Sequence, residues 1–185
     1  LINLAGKSVN CRYTAKNKRE ILDSRLNATR VLSEAVLQAQ HPPKIWFNAA
    51  SATIYRHAED RPMDEFTGEI GSDFSMDVCK AWEKSFYDLT LPATRKVILR
   101  MSITMGINGG VYLRFKNLVR FGLGGKMGNG KQMMSWIHVE DIARAISFII
   151  EKENINGIIN VTSPNPVSNA TFMSAVRKAM FMPFG

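Results

Sequence analysis

Cysteine is almost missing from this chain, which has two in 185 residues, Cys11 and Cys79. Two distant thiols exclude a disulfide framework and a cysteine metal knuckle, and they point to a reducing compartment such as the cytoplasm. Long apolar runs are absent as well, so no segment reads as a membrane span or a secretory signal. The chain opens on LINLAG with no initiator methionine, which predicts a fragment or a processed product. Acidic residues are the scarcer charge, 16 against 24 Lys and Arg, for a net charge of +8. The basic residues are scattered, as in KNKRE, TRK and RFKNLVR, without a dense stripe or interleaved aromatics. That pattern argues against nucleic acid as a partner and for a solvated basic surface, aided by an anionic ligand in a pocket. What remains, 45% hydrophobic and 22% charged, is an ordinary globular composition with one sizeable core.

Apolar periodicity then places the elements. Leu1–Ala5 reads as the tail of a buried strand and Lys16–Gln40 as a helix with Ile21, Leu22, Val31, Leu32, Ala35 and Val36 on one side. Pro42 and Pro43 stop that helix. Lys44–Ser51 and Lys96–Ile103 read as buried strands, and Phe74–Leu89 as a helix between them. The 106–130 stretch is a long connection containing a helix near Tyr112–Phe121. Val139–Glu153 is an amphipathic helix opened by Glu140 and Asp141. Gly157–Thr162 is a strand, and Asn169–Met180 a helix capped by Ser168 or Asn169. Short apolar strands alternating with helices predict βαβ units and a parallel sheet, whose ligands lie beyond the carboxyl ends of the strands. Ala5, Gly6, Ser51 and Arg100 sit at or near those ends.

With those elements placed, several segments resemble the extended short-chain dehydrogenase/reductase superfamily, in its epimerase/dehydratase branch: INLAG, DSRLNATRVLSEA, SATIY, VILRMSITMG and GNGKQMMSWIHVEDIARAI. SRLNATR, VCKAWE and PNPVSNATF narrow the resemblance to a sugar-nucleotide-epimerase-like group of epimerase family proteins. The fold implied is α/β, a Rossmann-like doubly wound parallel sheet lacking its first α/β units, with a small C-terminal substrate-side region. Residues 1–105 would be the remainder of the dinucleotide-binding domain and 106–185 the substrate side. That superfamily opens with a strand and a GxxGxxG turn. GLGGKMGNG does not replace it, because it follows a helical stretch rather than a strand.

The resemblance also implies roles. In such reductases a serine hydroxyl holds the substrate oxygen, a tyrosine phenol passes the proton, and a lysine lowers the phenol pKa and binds the nicotinamide ribose. Here the serine is Ser51 and the lysine Lys80, but the tyrosine position is Met76, and a thioether carries no proton. Lys80 either keeps the ribose contact or faces solvent on its helix. Tyr55 is the nearest replacement acid, or else a structural aromatic; Thr53 and His57 are weaker substitutes. Leu4, Ala5, Gly6, Asn27, Ala49, Ala50, Lys80 and Arg100 are implied to contact the cofactor, NADP(H) rather than NAD(H). Arg25 reaches a cofactor phosphate or a carboxylate, or forms a helix-surface ion pair. Asn3 serves a contact, a cap or a turn, and His138 packing and hydrogen bonding. Enzymes acting on nucleotide sugars usually carry an arginine where this chain has Met134 and an asparagine where it has Ile103. The implied substrate is therefore a small non-nucleotide molecule. No metal site is expected, and the assembly would be a monomer or homodimer. An NAD(P)-dependent oxidoreductase or epimerase competes with a catalytically weak cofactor-binding sensor or scaffold.

Overall fold

The computed structural model describes residues 1–185 with the exception of Asn108. In chain order the elements are β1 (Ile2–Asn3), α1 (Ala15–Gln38), β2 (Ile45–Ser51), a 3-10 turn (Ala52–Ile54), α2 (Phe74–Tyr87), β3 (Arg95–Met101), β4 (Ile103–Gly106), β5 (Gly109–Gly110), α3 (Tyr112–Arg120), β6 (Met133–Met134), β7 (Trp136–His138), α4 (Val139–Glu151), β8 (Gly157–Val161), β9 (Val167–Ser168) and α5 (Asn169–Ala179). They fall into two compact units. One comprises Leu1–Arg56, Met63–Arg100 and Ile149–Asn160, the other His57–Pro62, Met101–Phe148 and Val161–Gly185.

The first unit holds a four-stranded sheet in the order β1-β2-β3-β8. β1 lies parallel to β2, with Asn3 opposite Asn48. This is the expected α/β, Rossmann-like architecture, a parallel sheet with flanking helices. β2 and β3 are buried along Trp46–Ala50 and Val97–Arg100, as strands covered on both faces must be. Around them Val36, Ala50, Leu91 and Ile98 surround an edge-on pair, Trp46 and Phe86, with ring centroids 4.9 Å apart.

Two expectations change here. The first strand is only Ile2–Asn3, and of Leu1–Ala5 only Asn3 is buried, its side chain bonded to Asn48 of β2. On α1 the buried residues are Ile21, Thr29, Ser33 and Val36, whereas Val31 and Ala35 are exposed. Thr29 and Ser33 can go inside because each hydroxyl donates to a carbonyl of its own helix, Arg25 O at 2.9 Å and Arg30 O at 2.7 Å. The buried stripe therefore runs through small hydroxylated residues that a hydrophobic pattern does not mark.

The expected Lys96–Ile103 strand is two strands. Ser102 interrupts it, its amide donating to Val161 O, and the next amide, of Ile103, donates to Ser135 O. β4 then pairs parallel with β7 and antiparallel with β5, while β6 pairs antiparallel with β9. Strands of two or three residues give no alternation to read, which is why β5, β6, β7 and β9 were not anticipated. In this second unit Phe115, Val119, Met134, Met173 and Val176 form the core, with Phe115 edge-on to Phe172. Ser168 caps α5 by accepting from Thr171 N. Met134, at the position of the missing arginine, is part of that core; Ile103 is at the surface.

Candidate functional site

The carboxyl end of β2 turns directly into the 3-10 turn, and Ser51 makes the corner. Its Oγ accepts from Thr53 N at 3.2 Å and donates to Thr53 Oγ1 at 2.9 Å. Ser51 and Thr53 line a cavity of about 300 Å³ together with Arg25, Phe74, Cys79 and Trp82. Positions 74, 78 and 82 of α2 recur at helical spacing, so one face of that helix forms this wall. Lys80 leaves on another face. Its Nζ pairs with Asp77 at 2.6 Å, and it borders a different depression with Glu83 and Arg100. Ser51 and Lys80, joined by the sequence pattern, are thus on separate cavities here.

Arg25 crosses from α1 toward the end of β1. Nη1 donates to Ile21 O at 2.8 Å and Lys7 O at 3.2 Å, and the guanidinium lies over the Trp82 ring at 5.1 Å. Burial lowers its pKa from the ordinary value. Gly6 lies against it, and a Cβ there would stand 3.2 Å from Arg25 Cζ, so the side chain would have to give by a few tenths of an ångström. Leu4, Ala5 and Gly6 are exposed. Beneath them Asn3 Nδ2 donates to Asn48 Oδ1 at 2.7 Å, and Asn3 Oδ1 accepts from Ala5 N at 3.1 Å. Asn3 is therefore both a turn residue and a buried cross-strand link. Burial first, and then the Glu83 carboxylate, push the Cys79 thiol up to about 11.

Tyr55 is tied into a buried polar cluster. Arg100 Nε and Nη2 donate to Glu83 at 2.8 and 2.7 Å, and Nη1 donates to Tyr55 Oη at 2.7 Å. The phenol in turn donates to Asn160 Oδ1 at 2.8 Å, and the guanidinium lies over its ring at 5.1 Å. Burial alone would lower the Arg100 pKa, but the Glu83 carboxylate and the Tyr55 hydroxyl outweigh it and raise that pKa. Glu83 and Asn160 were missed at the level of sequence. The available signal was a lone asparagine inside the apolar strand GIINV, since an amide taken even partly out of water requires partners.

The remaining positions are dispersed. Ala49 and Ala50 are buried in β2, and Asn27 is exposed on α1. Met76 is close-packed on Gly71, where a Cβ would meet its sulfur. His57 pairs with Glu59 at 3.5 Å. His138 Nδ1 accepts from Glu140 N at the start of α4, a hydrogen-bonding role as expected. Among the described residues no group of three His, Cys, Asp or Glu could hold a metal ion, and no helix is long and apolar enough to cross a membrane.

Comparison with known proteins gives a consistent picture. The family model for the NAD dependent epimerase/dehydratase family matches residues 1–162. The Bacillus subtilis epimerase family protein YfhF is 35% identical over 182 residues, 98% of this chain and 60% of that protein. The human epimerase family protein SDR39U1 (isoform 2), solved with NADPH, superposes with a TM-score of 0.87 at 31% identity, over 95% of this chain and 61% of the other. A nucleoside-diphosphate sugar epimerase from Corynebacterium glutamicum superposes with a TM-score of 0.81 at 28% identity, over 96% of this chain and 37% of the other. The chain spans about three-fifths of the length of the curated relatives it matches.

Proposed function

Because the chain belongs to the NAD dependent epimerase/dehydratase family, we propose that it is part of an NAD(P)-dependent oxidoreductase or epimerase acting on a small, non-nucleotide carbonyl or alcohol. The observation that carries this reading is Ser51, a hydroxyl at the carboxyl end of a parallel strand, opening into a cavity lined by Arg25 and Trp82. Strand ends of this kind are where such sheets place their ligands.

The residues present fit one end of a dinucleotide. Leu4, Ala5 and Gly6 are exposed at the end of β1, with the Arg25 side chain against Gly6. These three would hold the cofactor by their backbone. Lys80, which borders a different depression from Ser51, would reach the ribose only by leaving Asp77 and swinging toward the Ser51 cavity. Ala49, Ala50 and Arg100, being buried, would act only through the shape of the sheet, and Asn27 from the surface of α1. When bound, the nicotinamide supplies hydride transfer. NADP(H) is favoured because the human relative was solved with NADPH.

Toward a substrate, Ser51 would donate its hydrogen from Thr53 Oγ1 to the substrate oxygen. Proton transfer is then the slow element. Met76 carries no proton, and Tyr55 must leave Arg100 or Asn160 to serve. That double engagement favours the second reading, a cofactor-binding protein with little turnover. Met134 inside an apolar core leaves no arginine at that position for a nucleotide phosphate, so UDP- and GDP-sugars are expected not to bind.

Fluorescence titration of the full-length protein with NADPH and NADH tests the cofactor reading, and absence of binding to either sinks it. A carbonyl screen with Ser51→Ala tests the chemistry: the variant should lose turnover and keep cofactor affinity. If no turnover is found, Met76→Tyr producing weak reductase activity would mark a site that lacks only its phenol.

A further inference from the structure

The Ser51 cavity contains donors that its protein partners do not use. Arg25 makes both of its hydrogen bonds through Nη1. Its Nε and Nη2 edge, the one that meets a carboxylate side-on, carries no acceptor among the described residues. No carboxylate is among the groups that act on it electrostatically. Trp82, under the guanidinium, is buried and its Nε1–H has no acceptor. The indole N–H is shut away from the cavity, but a half-buried cation without a counter-anion on its wall asks for an oxyanion.

We propose that this cavity binds a small carboxylic acid, its carboxylate held by Arg25, with Ser51 on the adjacent oxygen. The class of ligand is a 2-oxo or 2-hydroxy acid. This rests on the role proposed for Ser51 and adds the substrate class. Carboxylate is chosen over phosphate because one planar fork neutralises a monoanion. Of the cations near it, Lys7 is already paired with Glu20 and Lys18 lies over the Phe74 ring at 5.0 Å. At about 300 Å³ the cavity is at the small end of ligand sites, right for a short acid and too small for a nucleotide sugar.

The test is 19F NMR of the full-length protein labelled with 5-fluorotryptophan, the Trp82 signal assigned by Trp82→Phe. It is titrated with 2-oxobutyrate, with its amide 2-oxobutanamide and with inorganic phosphate. Saturable displacement of the Trp82 signal by the acid, and by neither of the others, is the expected result. Arg25→Gln should weaken that response about ten- to a hundredfold, as loss of a charge-assisted pair does. NADPH affinity of the same variant should stay within about twofold. Equal response to acid and amide overturns the proposal, as does an unchanged response in Arg25→Gln. A large loss of NADPH affinity in Arg25→Gln, with phosphate displacing the signal, assigns Arg25 to the cofactor instead and also overturns it. Should Arg25→Gln not fold, the comparison of acid, amide and phosphate on the unmodified protein decides alone. Failure here leaves NADPH binding intact, whereas failure of the cofactor reading abolishes it, so the two are told apart.

Discussion

Tyr55 concentrates the problem at the scale of single residues. Its hydroxyl accepts from Arg100 and donates to Asn160, so Tyr55→Phe strips a buried guanidinium N–H of its acceptor and a half-buried amide oxygen of its donor. The expected cost is about 1–3 kcal/mol, read as a lower urea midpoint. If the phenol is also the proton relay, turnover of the full-length protein falls with it; if not, turnover is unchanged and only stability drops. Cys79 offers a second residue-scale prediction. Its thiol is raised from an ordinary 9.0 to about 11, so the folded state holds this proton more tightly than the unfolded chain does. The stability it contributes is complete below pH 9 and is lost as pH rises through about 11. Iodoacetamide at pH 8 should accordingly modify Cys11, which is partly exposed, well before Cys79.

At the scale of elements, α2 does the sorting. Asp73 sets its start by accepting from Met76 N at 2.8 Å. Asp73→Ala should cost about 1 kcal/mol in chemical denaturation. From that start the helix phase puts Cys79 and Trp82 on the Ser51 cavity, buries Glu83 against Arg100, and sends Lys80 out to Asp77. The loop before α2 is fixed by contact rather than by pattern. At Gly68 a Cβ would lie 2.3 Å from Asp64 O and 2.5 Å from Tyr55 Cε1, so Gly68→Ala must displace backbone and should lower the thermal midpoint by several degrees, about what 1–2 kcal/mol does in a domain of this size.

For the whole molecule, the net charge of +8 is the global property that most invites a functional reading. Many of its cations are engaged locally. Arg30 pairs with Glu34, Arg56 with Glu69, Lys84 with Asp88 and Arg144 with Glu140 and Asp141. Arg95 donates to the carbonyls of Ile149, Lys152 and Ile155 at and beyond the end of α4. Cations held in pairs release few counterions from a polyanion. Binding to random duplex DNA at physiological salt is therefore expected to be undetectable by fluorescence anisotropy, and binding with a steep salt slope would contradict this.

The sequence by itself determined where the long helices lie, where the buried strands run and to which family the chain is similar. Those features are written in local periodicity, in caps such as Ser168 and in contiguous motifs such as SATIY and VCKAWE. It also placed Ser51 at a strand end, because strand ends follow from strand extents. Tertiary structure decided the partners. Whether Lys80 shares a cavity with Ser51 depends on the rotation of α2 about its axis, and a one-residue offset in a helix turns a side chain by about 100°. The buried face of α1 depended on Thr29 and Ser33 satisfying their hydroxyls within the helix. The Glu83–Arg100–Tyr55–Asn160 cluster joins residues up to 105 positions apart in the chain. No local pattern carries such a distance; only closing the sheet and laying α2 against it brings those groups within hydrogen-bond reach.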